Sequence, residues 1–109
     1  MAKYRLRYSF DPGAGICLWA ANDAAREQFD YPVDVRDLPL PENTRRRVWY
    51  VSAWFDTSID WDYPPAPSPW SWEEREWFNS EAQKLLTLVR EQLGLEFEVI
   101  DGSGTAGPA

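Results

Sequence analysis

The sequence predicts an α+β domain, a two-layer sandwich whose three-stranded, mainly antiparallel sheet carries helices on one face. Three observations predict it. Apolar and polar residues alternate at both ends of the chain, over residues 4–10 and 95–100. Ser71 opens a long stretch whose apolar residues recur at helical spacing. Between and around these lie shorter signals that complete the order β-β-α-α-α-β, a pattern that stacks helices on a sheet.

In the first segment Tyr4, Leu6, Tyr8 and Phe10 share one face, and Lys3, Arg5, Arg7 and Ser9 share the other. Asp11, Pro12 and Gly13, followed by Ala14 and Gly15, supply turn chemistry: proline fixes φ and the glycines permit positive φ. Residues 16–20 form a second strand, with Ile16 and Leu18 on one face and Cys17 and Trp19 on the other, so the first two strands make a hairpin. A phosphate-loop reading of Gly13 and Gly15 fails, because the third glycine and the lysine of such loops are missing.

Asn22 caps a short helix through about Phe29, which Tyr31 and Pro32 end. Residues 33–40 read as an extended connection. Pro41 suits the first position of a second helix, over residues 42–55, with Val48, Val51 and Phe55 on its apolar face. Trp49, Tyr50 and Trp54 broaden that stripe beyond what a single face needs. Four prolines within residues 64–69 then exclude helix and central strand, so residues 57–69 form a proline-stiffened loop.

Ser71 and Glu74 make a capping box, and the helix they open runs to about Leu93, where Gly94 stops it. Phe78, Ala82, Leu85, Leu86, Val89 and Leu93 form its buried stripe. In the last strand Leu95, Phe97 and Val99 share a face opposite Glu96 and Glu98. Residues 101–109 are rich in glycine and alanine and read as a disordered tail behind a single domain at 1–100. Opposite charges stabilise neighbouring strands. Arg5 and Arg7 therefore place the last strand, with Glu96 and Glu98, beside the first. The charged groups face away from the long helix, and the first strand is central.

Composition narrows the function. Eleven basic and 18 acidic residues give 109 residues a net charge of −7, which disfavours nucleic acid and anionic membranes and attracts cationic partners. The single cysteine forms no internal disulfide, and no leader or spanning run is visible, so a cytoplasmic protein is expected. No histidine is present, which excludes Ser-His-Asp and Cys-His arrangements and zinc sites built from Cys and His. Cys17 lies in a strand and reads as a buried side chain rather than a nucleophile. Asp56, Asp60 and Asp62 have the chemistry for glycoside hydrolysis or calcium. The glycine-containing calcium pattern is absent, however, and a chain this short rarely builds a deep cleft. No catalytic residue, metal or cofactor is expected. The Arg45, Arg46 and Arg47 run reads as a solvated basic face.

Seven tryptophans exceed what a two-layer core of this size accommodates. Asp60, Trp61, Asp62 and Tyr63, with Trp70 and Trp72, interleave acids and aromatics on a stiff frame. Such a frame loses little entropy on binding and offers apolar contacts beside charges that select cations. These six residues are the candidate partner-binding surface.

The stretches Cys17-Leu18-Trp19-Ala20 and Trp61-Asp62-Tyr63-Pro64-Pro65, completed by Pro67, Ser68, Pro69 and Trp70, resemble those of small acidic proteins from GC-rich bacteria. That family carries no assigned function, so the resemblance implies no activity. The residues themselves favour a protein-binding module, most concretely an immunity protein or antitoxin that masks a basic toxin. A ligand- or carbohydrate-binding module with Trp61, Tyr63 and Trp70 as stacking platforms remains open. So does a structural subunit of an oligomer whose exposed sheet face carries Trp19.

Overall fold

The computed structural model describes residues 2–102. Strand β1 (Tyr4–Tyr8) lies between β2 (Leu18–Ala20) and β3 (Phe97–Asp101), giving the sheet order β2-β1-β3. The sheet is mixed. The β1–β2 pairing is antiparallel and is extended by an antiparallel bridge from Trp19 to Pro32, whereas β3 runs parallel to β1. Helices α1 (Asp23–Phe29), α2 (Glu42–Asp56) and α3 (Trp72–Leu93) supply the second layer, and a 3-10 turn (Val35–Asp37) occupies the connection expected to be extended.

The alternation of β1 sorts its two faces as expected. Leu6 and Tyr8 point into the helices, where they are buried with Phe78, Leu85, Leu86 and Val89 of α3. The Tyr8 hydroxyl donates to the Ala82 carbonyl at 2.8 Å, which satisfies the one polar atom this ring buries. On the opposite face the Arg5 Nε lies 2.9 Å from Glu98 Oε1, and the register sets these two residues side by side. The central position of β1 and the Arg5–Glu98 pair are both as the charge pattern predicted.

The second half of that charge inference fails. The register places Arg7 beside Ile100, and Glu96 falls before the strand. Arg7 instead donates to the Tyr31 hydroxyl at 3.2 Å and lies 5.9 Å from the Trp19 ring. Arg7 and Tyr31 thereby cover Trp19, whose indole N–H donates to the Ser9 carbonyl at 2.9 Å. Trp19 lies on the open sheet face but is only 9% exposed, so it is covered rather than presented as expected.

Strand ends differ from expectation for physical reasons. Gly94, at a φ of 79°, starts a turn that carries Leu95 and Glu96 outward before β3 begins. Leu95 is 97% exposed and belongs to no apolar face. Strand β1 stops at Tyr8, yet Phe10 still packs on Phe55 and Phe78. Strand β2 begins only at Leu18, after a fully buried Cys17. Strand-like hydrogen bonding continues to the Gly102 N–H, which donates to the Tyr8 carbonyl at 2.9 Å. The remainder of the expected tail, residues 103–109, lies outside the described residues.

The caps hold where chemistry named them. Asn22 accepts from the Ala25 N–H at 3.0 Å and also ties α1 to β1 through the Arg5 N–H and the Lys3 carbonyl. Ser71 and Glu74 complete the capping box of α3. Pro41 takes the N-cap of α2 rather than its first helical position.

Candidate functional site

The segment between α2 and α3 is folded by its own polar groups. Asp60 Oδ1 accepts from the N–H groups of Asp62 and Tyr63 at 3.1 and 3.3 Å, an Asx turn in which the side chain replaces a backbone acceptor. A second turn follows, with the Ala66 N–H on the Tyr63 carbonyl at 2.9 Å. Prolines at 64, 65, 67 and 69 limit the φ freedom of the remainder. The loop is built as a defined shape.

Two indoles fix that shape to the domain. Trp61 Nε1 donates to the Asp56 carbonyl at 2.8 Å, while the Asp56 carboxylate accepts from the Gly13 N–H at 2.9 Å. The hairpin turn, the C-terminal end of α2 and the loop therefore meet at Asp56. Gly13 has a φ of +75°, and a Cβ there would stand 3.7 Å from the Trp61 ring. Trp70 Nε1 donates to Thr57 Oγ1 at 2.7 Å, and its ring packs 5.1 Å from Phe78 in the core.

The structure divides the six candidate residues. Trp61, Tyr63 and Trp72 are 55%, 63% and 68% exposed, and Asp62 is exposed beside them. Asp60 is half-buried, because its carboxylate is spent on the turn. Trp70 departs from expectation: at 5% exposure it is a core residue and presents no contact surface. That also removes one of the three platforms a carbohydrate module would use. The loop walls an open depression of about 440 Å³, lined by Phe55, Ile59, Pro65, Ala66 and Pro67 together with Ser58 and Ser68.

Reactive groups lie elsewhere and are not assembled. Burial pushes the Cys17 thiol up to about 12, so at neutral pH it is a protonated core side chain. Asp34 is held below the usual carboxylate range by hydrogen bonds from the Arg36 side chain and backbone, an exposed surface clip. Among the described residues no group of three acidic or thiol side chains could hold a metal ion. Likewise no described helix is long and apolar enough to cross a membrane. Of the basic run, Arg45 and Arg46 lie near Glu42 at 3.8 and 3.4 Å, and Arg47 pairs with Glu81 at 2.8 Å.

Sequence reasoning did not single out a second aromatic group. Tyr50, Trp54 and Trp77 meet where α2 crosses α3, with Trp54 and Trp77 ring centroids 4.4 Å apart and Tyr50 and Trp54 6.1 Å apart. Tyr50 and Trp77 are largely exposed. The signal was present, since Tyr50 and Trp54 stand four apart beside an already complete apolar stripe.

No curated protein matches the chain. A family model matches residues 5–101, from β1 to the end of β3, and it carries a functional description where the resemblance noted above carried none. With nearly the whole domain matched, this chain belongs to the family described as Serratia CdiI immunity protein-like.

Proposed function

We propose that this chain is an immunity protein: it binds a contact-dependent inhibition toxin in the cytoplasm and masks it without catalysis. The family match over residues 5–101 carries the reading. The aromatic excess and the net charge of −7 support it, since an acidic field speeds capture of a cationic enzyme and rigid aromatics hold it. The recognition surface is the loop over residues 60–72, with Trp61, Tyr63 and Trp72 as contacts and Asp60 and Asp62 as the charged frame. Trp70 serves that surface from beneath, by fixing the loop's base.

The test is to search the genes flanking this one for a contact-dependent inhibition toxin and to co-express its toxin domain with this chain. Growth rescue by the parent chain and a purified one-to-one complex are the expected results. Toxicity unchanged by co-expression, together with no complex by size-exclusion chromatography, would overturn the assignment.

A further inference from the structure

The aromatic group at the α2–α3 crossing frames a notch of about 210 Å³, lined by Tyr50, Val51, Trp54 and Trp77 with Arg47 and Glu81 at one end. That volume is below the roughly 300–1,000 Å³ of small-molecule sites, yet several times the roughly 30 Å³ of a water. It suits one long side chain. The walls are aromatic rings and the floor is a valine, so the stem of the occupant is hydrocarbon.

Charge selects its tip. Glu73 and Glu74 lie one helical turn before Trp77 and share with it a shallow depression at the other end. Neither carboxylate forms an ion pair among the described residues, although Glu74 accepts from the Ser71 N–H at 3.4 Å in the capping box. Arg75 is the cation among these acids. At the far end Glu81 is engaged by Arg47 at 2.8 Å and by Lys84 at 3.6 Å, so that end is basic. A cation entering the notch is therefore drawn toward Glu73 and Glu74 and repelled from Arg47.

We infer that the notch receives one lysine or arginine side chain from a basic surface of the protein partner. Its methylenes lie between Tyr50 and Trp77, and its cation reaches the carboxylates of Glu73 and Glu74. Long basic side chains bury their stems against apolar surface in this way, and an aromatic face beside a cation adds attraction. A second copy of the chain is a poorer occupant, because symmetric docking would set the acidic turn of α3 against itself. The inference rests on the immunity reading and gives it a second contact region.

Binding of the toxin domain used in the co-expression test to Tyr50→Ala, Trp77→Ala and the double variant Glu73→Gln, Glu74→Gln decides it. Glutamine at 74 keeps the capping box while removing charge. Each aromatic truncation is expected to weaken binding by about thirtyfold or more, the range of interface hot spots. The double variant should slow association severalfold at low salt and match the parent at high salt. Tyr50 is exposed, so its truncation leaves the fold intact, as a melting curve will verify. Failure of the parent to bind overturns the immunity reading and this inference together. A parent that binds while all three variants bind equally well overturns the inference alone. Loss of binding in the aromatic variants with no charge or salt effect would make the occupant apolar and also overturn it. Dimers of the parent that Trp77→Ala dissolves would assign the notch to a second copy instead.

Discussion

The indole N–H of Trp70 donates to the hydroxyl of Thr57 at 2.7 Å, and that hydroxyl in turn donates to the Trp54 carbonyl at 2.7 Å. These bonds close the base of the loop, joining its last residue to its first and both to the C-terminal turn of α2. Trp70→Ala is expected to destabilise the domain by about 3–5 kcal/mol, since it empties a core position of its largest side chain. Thr57→Val should cost about 1–3 kcal/mol, because it leaves a buried indole N–H without an acceptor. Trp70→Phe should cost less than Trp70→Ala, since it keeps a ring against Phe78. Urea denaturation of the three variants measures this order. A Trp70→Ala protein as stable as its parent would contradict the core placement.

Alkali tests the buried face of the sheet. Burial raises both the Cys17 thiol, to about 12, and the Tyr8 hydroxyl above their ordinary values. The folded state thus retains protons that the unfolded chain releases, and the stability so conferred is intact below about pH 9 and lost as pH rises. Stability should fall by about 1.4 kcal/mol per pH unit for each group once its unfolded pKa is passed. Cys17→Ala should shallow the decline between pH 9 and 12 by one group's share, and Tyr8→Phe should act similarly from about pH 10. Chemical denaturation at stepped pH reads the slopes. Equal slopes in parent and Cys17→Ala would contradict the buried, protonated thiol.

Local patterns announced most of the fold because their causes are local. The alternation in β1, the Asn22 cap, the Ser71–Glu74 box and the stripe of α3 each act within a few residues. The Arg5–Glu98 pair was legible across 93 positions because unlike charges on adjacent strands stabilise one another. Glu96 and Leu95 were not legible, since a helix-ending glycine sets a turn geometry that overrides alternation. The acidic and aromatic loop could be read from its composition. Its division could not, because whether Trp70 or Trp61 turns inward depends on Thr57 and Phe78, which only the tertiary structure brings there. The excess of Tyr50 and Trp54 beside the α2 stripe was legible in one segment, but their meeting with Trp77 was not, because it needed the crossing of two helices.

That turn has a measurable consequence. Leu95→Asn should change stability by no more than about 0.5 kcal/mol, as for other exposed substitutions. Val99→Ala, at a buried position on the same expected face, should cost about 2 kcal/mol from two lost methyl contacts and the space they leave. Paired thermal denaturation curves compare them. A costly Leu95→Asn would restore Leu95 to the core face and extend β3 backward.

Asp60 and Asp62 separate charge from architecture within the proposed recognition loop. Asp62 is exposed and, among the described residues, its carboxylate accepts no hydrogen bond that shapes the turn, whereas Asp60 Oδ1 holds the N–H groups of Asp62 and Tyr63. Asp62→Asn and Asp60→Asn both remove a charge, and asparagine keeps an acceptor oxygen at the Asx turn. Both should slow association with the toxin domain severalfold at low salt, with little change in dissociation, and the difference should vanish at high salt. Asp60→Ala removes charge and turn together. The loop then loses the bonds that orient Tyr63 beside Trp61, so dissociation should also quicken, and salt should not repair that part. Surface-plasmon kinetics at two ionic strengths distinguish the outcomes. If Asp60→Ala and Asp60→Asn dissociate alike, the Asx turn does not set the contact geometry. If neither charge variant alters association, the loop is not the surface the partner approaches.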